Sequence, residues 1–175
     1  WLENLGYTIP ESTTLLYTQK SNQIEYEEGG SQPAPLALPC EHNDTRFMVD
    51  SAINYIGQQQ DNWLVHLSLL RPHPPWIAPE PYNAMYSPEK LQNFERQPDI
   101  ETEAEQHPLL NYYLNLPYHF VTDDDKKTAR LKASYFGLMT EVDDNLGRLF
   151  EFLKKTGQWN DTLIIFTSDH GEQMG

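Results

Sequence analysis

The chain has a single cysteine, Cys40, so no internal disulfide framework holds it together and the redox compartment stays open. Nothing around Cys40 supports a nucleophile, and it reads as a semi-buried structural thiol. Cationic residues are also scarce: 12 Lys and Arg stand against 26 Asp and Glu, for a net charge of −14. A nucleic-acid backbone needs a Lys/Arg surface, so nucleic acid is excluded as the expected partner. A small anionic substrate remains compatible, because a bound metal inverts the local potential. No apolar run approaches the roughly 20 residues of a membrane span, and no membrane partner is expected. The chain starts at Trp1 without a signal peptide and reads as a fragment or a processed chain. Its localisation, cytoplasmic or periplasmic, is therefore left open.

What is present suffices for one core within 175 residues. Residues 1–40 read as irregular, with a brief strand or hairpin near Ile9 to Tyr17. From 41 to 88 the order is helix, strand and proline-rich loop. Met48, Val49, Ala52, Ile53 and Ile56 recur at helical spacing over 44–59, with Asp44 as N-cap. Trp63-Leu-Val-His-Leu-Ser-Leu69 reads as a strand with two apolar faces, as in a buried parallel sheet. Arg71-Pro-His-Pro-Pro-Trp76 then predicts a stiff, extended backbone. Residues 89–125 read as an insertion at a surface or active site. A long helix over 126–156 follows from Leu131, Tyr135, Leu138, Val142, Leu146, Leu149 and Leu153, with Gly157 just past its end. The terminal run Thr162-Leu-Ile-Ile-Phe-Thr-Ser168 is a second strand.

Strand, helical crossover and strand imply a parallel α/β arrangement, with both strand ends at one sheet edge. Ligands gather at such edges. This edge receives His73 after the first strand and Asp169-His170 after the second. Asp and His both hold divalent metals. Joint ligation requires the pleat to end near Ser168, which Gly171 permits. Taken alone, the pair is better explained as a helix cap beside a satisfied histidine. His73, clamped between prolines, has the restricted backbone that suits a pre-positioned acid or hydrogen-bond donor; a surface-loop histidine is the alternative. His66 reads as a packed core residue, and His42, His107 and His119 have no supporting pattern. Asp143 and Asp144 diverge around the helix and cannot share a site.

Three blocks together resemble a known family. Thr167-Ser-Asp-His-Gly-Glu172 is similar to the metal-binding motif of sulfatases in the alkaline phosphatase superfamily. Glu141-Val-Asp-Asp-Asn-Leu-Gly-Arg148 and the strand after Gly157 resemble the segment before it. His66-Leu-Ser-Leu-Leu-Arg-Pro-His-Pro-Pro75 resembles the block with the active-site histidine and, with Pro39-Cys-Glu-His42, leans toward phosphonate monoester hydrolases and related arylsulfatases. The resemblance implies a mixed, mainly parallel sheet flanked by helices, and an internal fragment of one catalytic domain. It implies hydrolysis of small anionic sulfate, phosphate or phosphonate esters, with a metal-bound nucleophile attacking sulfur or phosphorus. By the same resemblance, Asp169 and His170 ligate a divalent metal (manganese, calcium or zinc) and His73 contacts the substrate or assists the leaving oxygen.

The family's Cys/Ser/Thr-x-Pro-x-Arg nucleophile motif, usually matured to formylglycine, is missing. Cys40-Glu-His-Asn-Asp44 lacks its proline and arginine, and Thr8-Ile-Pro-Glu11 lacks its spacing and arginine. The acidic ligands of the first strand and the lysine after the Asp-His motif are missing too. The formylglycine is thus expected upstream, and the chain alone is expected to bind metal weakly without turnover. A non-catalytic module that retains the scaffold, and a phosphotransferase or phosphodiesterase of the same superfamily, are the competing readings. Oligomerisation is left open for the full-length protein.

Overall fold

In the computed structural model, residues 1–9, 35–91, 95–116 and 124–172 are described. The architecture is organised by one long helix. Helix α1 spans Asp44–Gly57, α2 Ile100–Glu105, α3 Pro108–Leu114 and α4 Asp125–Lys155. The expected hairpin near Ile9–Tyr17 and the residue His119 lie outside the described residues.

Helix α1 forms where the apolar spacing predicts, but its cap is one residue earlier. The Asn43 side chain accepts the Arg46 N–H at 3.0 Å, whereas Asp44 is turned toward Arg71, with Oδ1 3.7 Å from Nε. Val49, Ala52 and Ile56 are buried, and α1 lies along α4. Arg148 of α4 reaches Asp50 of α1, which also takes Arg46 Nε at 2.8 Å.

Helix α4 has 31 residues, about 45 Å at helical rise. Asp124 caps it by accepting the Lys126 and Lys127 N–H groups at 2.9 and 3.1 Å. At the other end Gly157 adopts φ 75. Its N–H donates to Lys154 O and the Gln158 N–H to Leu153 O, the paired bonds of a Schellman ending. Of the expected apolar stripe, Leu131, Leu138 and Leu153 are buried, while the rest of the buried face is small or polar: Thr128, Ala129, Ala133, Ser134, Gly137, Glu141 and Asn145.

That face receives the proline-rich loop. Ala78, Tyr82 and Leu138 form a buried cluster, with Cys40 and Trp76 packed on it. Ser134 Oγ donates to Trp76 O at 2.6 Å and accepts the Ala78 N–H at 3.3 Å. Tyr82 donates to Asp144 at 2.9 Å, and Tyr86 pairs with Thr140 at 2.7 Å. Arg71–Pro72, Pro74–Pro75 and Glu80–Pro81 are cis.

The two expected strands are not formed as sheet: among the described residues, 63–69 and 162–168 belong to no β-ladder. A strand exists only through hydrogen bonds to a neighbour, and these segments do not pair with each other. The pleat is nevertheless visible over 63–70, where half-buried Trp63, Val65, Leu67 and Leu69 alternate with exposed Leu64, His66, Ser68 and Leu70. His66 is thus on the uncovered face, not in the core as its strand position suggested. In the second segment Leu163 is 86% exposed and Phe166 76%, against the expectation of a buried strand.

Candidate metal and substrate site

Asp169 and His170 sit on a bend directly after the terminal extended run, with Gly171 next. The Asp169 carboxylate accepts the His170 backbone N–H at 2.8 Å, leaving Oδ2 3.8 Å from His170 Nε2. The two donors therefore share a side, as the end of the pleat allows. His170 Nδ1 lies 2.9 Å from Gly171 O. A carbonyl only accepts, so Nδ1 carries the hydrogen and Nε2 presents the lone pair. The contact with the His170 amide holds the Asp169 carboxyl below its usual range, with the imidazole adding to the effect. The Gly171 carbonyl, followed by Asp169, raises the His170 imidazole.

A tetrahedral divalent ion bonded at roughly 2.0–2.2 Å to nitrogen and oxygen holds neighbouring donors roughly 3.4 Å apart. The 3.8 Å separation of these two needs only a small rotation of either side chain to reach that spacing, and a carbonyl behind the imidazole is the usual support of a ligating histidine. The pair fits a metal. It does not complete a shell: among the described residues no group of three or more His, Cys, Asp or Glu is placed to hold an ion.

His73 is exposed at the tip of the proline loop. Its N–H donates to Leu70 O at 3.0 Å, and its Nδ1 donates to Pro74 O at 2.7 Å. Nε2 is consequently the outward nitrogen. The loop is bracketed by Arg71, whose Nη1 donates to His73 O at 3.1 Å and Pro75 O at 2.9 Å. No hydrogen bond or ion pair among the described residues joins His73 to Asp169 or His170. The start of the first extended segment is tied to the turn after α4, where Trp63 Nε1 donates to Gln158 Oε1 at 2.9 Å.

The support behind His73 lies in residues that no sequence motif singles out. Arg71 is 4% exposed and Glu141 is fully buried. Asn43 donates to the Glu141 carboxylate. Burial pushes the Glu141 carboxyl up to about 7; the Asn43 amide and the Arg71 guanidinium oppose the rise and Asp44 adds to it. The available signal was a glutamate three residues past Leu138, on a face that Ser134 and Asn145 also share. Of the other histidines, His42 pairs with the Tyr7 hydroxyl at 2.8 Å and His107 caps α3 by accepting the Leu109 N–H. Asp143 and Asp144 are both exposed, and Asp144 accepts the Tyr82 hydroxyl.

The sulfatase family model matches residues 5–175, and the chain belongs to that family. It is 38% identical to the multifunctional alkaline phosphatase superfamily protein PehA of Trinickia caryophylli, over 100% of this chain and 36% of that protein. An arylsulfatase of Clostridium perfringens is 28% identical over 75% of this chain and 27% of its own length. The phosphonate monoester hydrolase of Agrobacterium radiobacter superposes with a TM-score of 0.85 at 35% identity, covering 100% of this chain and 36% of that one. The corresponding enzyme SpPMH of Silicibacter pomeroyi gives 0.81 at 36% identity, covering 99% of this chain and 35% of that one. The chain thus spans about a third of the length of these relatives. No described helix is long and apolar enough to cross a membrane.

Proposed function

We propose that this chain is part of a metal-dependent hydrolase of small anionic sulfate or phosphonate/phosphate esters. Asp169 and His170 are two of its metal ligands, and His73 faces the substrate. The carrying observation is the shared side of Asp169 Oδ2 and His170 Nε2, 3.8 Å apart. Membership of the sulfatase family supports the chemistry.

In this reading the metal, manganese, calcium or zinc, supplies positive charge that polarises the ester and favours an ionised nucleophile. The chain's own residues orient and move protons. Asp169 stays ionised because the His170 amide binds its oxygen. Gly171 fixes the His170 ring so that Nε2 points outward. His73 keeps one hydrogen on Nδ1, spent on Pro74. Its Nε2 is free to take a proton and hand it to the departing oxygen, as general acid catalysis requires. The nucleophile, a formylglycine in this reading, and the remaining metal ligands come from elsewhere in the protein. Segments 63–70 and 162–168 become sheet strands there. Their uncovered apolar side chains, Leu64 at 90% and Leu163 at 86% exposure, support that.

The test is hydrolysis of an aryl sulfate and an aryl phosphonate monoester by the full-length protein. Asp169→Asn is expected to abolish turnover, and His73→Ala to lower kcat most for esters with poor leaving groups. Full activity of Asp169→Asn would refute the assignment.

A further inference from the structure

We propose that Arg71 is a positioning residue for His73, and that buried Glu141 and Asn43 with half-buried Asp44 anchor Arg71, so that the charge on Glu141 is felt at the His73 imidazole. The inference rests on His73 facing the substrate only for its consequence; the coupling itself rests on contacts within this chain.

Three links compose it. His73 is aimed by one bond, from Nδ1 to the Pro74 carbonyl. That carbonyl belongs to a peptide pinned on both sides, because Arg71 Nη1 holds the carbonyls of His73 and Pro75. The guanidinium is a rigid planar fork, so its position fixes both. Behind it stand carboxylates from two helices. Asp44 of α1 lies 3.7 Å from Arg71 Nε, and Glu141 of α4, held by the neighbouring Asn43, is near enough for the guanidinium charge to act on its carboxyl.

Little solvent screens Glu141 and Arg71, while the Asp44 side chain is 28% exposed. Glu141 and Thr45 are 0% and 2% exposed, and Arg71 4%. Facing Glu141 are Asn43, Asp44 and Thr45 from α1 and its cap, and Arg71 from the loop. Cys40 and Tyr82, from the adjoining turns, also feel its charge. Arg71 is the cation in that set. An ionised Glu141 therefore draws the guanidinium into the seam and steadies the loop, and a neutral one leaves Asp44 as its carboxylate anchor. Burial brings that change of state near neutral pH. His73 should be aimed most firmly on the alkaline side.

Nitrogen-15 spectra of the histidine rings test this, recorded at a pH where the imidazoles are neutral and without substrate. In the wild-type chain His73 is expected as the Nδ1–H tautomer. Arg71→Lys, which cannot hold two carbonyls from one planar fork, should make that form the minority. Glu141→Gln should move it the same way by less. His107 and His170 serve as internal controls and should not move. Unchanged His73 in both variants, or a shift of all histidines together, would overturn the proposal. If either variant fails to fold, the wild type decides. The Glu141 carboxyl carbon and the Arg71 guanidinium nitrogens must then titrate together, and independent titration overturns the coupling. A coupled His73 whose replacement by alanine leaves ester hydrolysis intact would sink the proposed function and spare this inference.

Discussion

Two glycines of α4 make opposite predictions from the same helix. A Cβ built on Gly137 falls on the Tyr82 carbonyl oxygen, with the carbonyl carbon at 3.0 Å and Ala78 Cβ at 3.3 Å. Two of these atoms are backbone and the third is a methyl, so none can swing aside. Helix propensity alone would favour alanine by about 1 kcal/mol. Overpacking costs about 1–3 kcal/mol. Relief by moving α4 outward would strain the Ser134 bridge to Trp76 and Ala78, at about 1 kcal/mol per bond. The balance is a loss of about 2 kcal/mol for Gly137→Ala. A Cβ on Gly147 meets nothing within 4 Å, so Gly147→Ala should gain up to about 1 kcal/mol. Urea unfolding followed by circular dichroism reads both, and a Gly137→Ala chain as stable as wild type would refute the close seating of the proline loop on α4.

Glu141 makes a pH prediction. Its carboxyl rises from 4.5 to about 7 on folding, so the folded chain keeps a proton that the unfolded chain releases across that window. The associated stability is complete below about 4.5 and lost as pH rises to about 7, by about 3 kcal/mol. Asp50, held low by Arg148 and Arg46 against the effect of burial, slopes the other way, so the difference between wild type and Glu141→Gln isolates Glu141. Thermal unfolding from pH 4.5 to 8 should show the variant gaining on wild type as pH rises, and a constant gap would refute it. Arg148→Ala removes contacts to Asp50 and Asn145 on a partly exposed seam. It should cost about 1 kcal/mol or less, and less still in high salt, as salt-dependent unfolding would show. Gly157→Ala places a side chain at φ 75 and should cost about 1 kcal/mol in the same assay.

Helices α1 and α4 were legible because their apolar spacing and end residues agree: Asp124 and Gly157 bracket α4 where charge and glycine predict. Helices α2 and α3 were not, because the 89–125 stretch is polar and mixed, with no clear apolar period. Asn43 and Asp44 are equally good caps in isolation, so the sequence alone does not place the cap of α1 at Asn43. Only the structure shows Asp44 engaged by Arg71. The buried face of α4 was legible only in part. Ser134, Gly137, Glu141 and Asn145 are buried for close approach and hydrogen bonding, which apolar periodicity does not register. The strands were read from composition, yet composition cannot supply the neighbours that turn an extended run into a sheet. The Asp169-His170 juxtaposition was legible in the motif and in the turn that Gly171 permits. The role of Arg71 was not, because it depends on which carbonyls its guanidinium reaches.

The claim that Asp169 and His170 hold a metal is open to direct measurement on this chain. With a net charge of −14, the surface will gather cations loosely, so the site of binding matters more than its strength. Substoichiometric Mn²⁺ added to the isotope-labelled chain should broaden the signals of Asp169 and His170 first, with Asp169→Asn removing that effect while surface carboxylates respond as before. Broadening spread over the acidic surface, with Asp169 and His170 unaffected or the variant indistinguishable from wild type, would contradict the account.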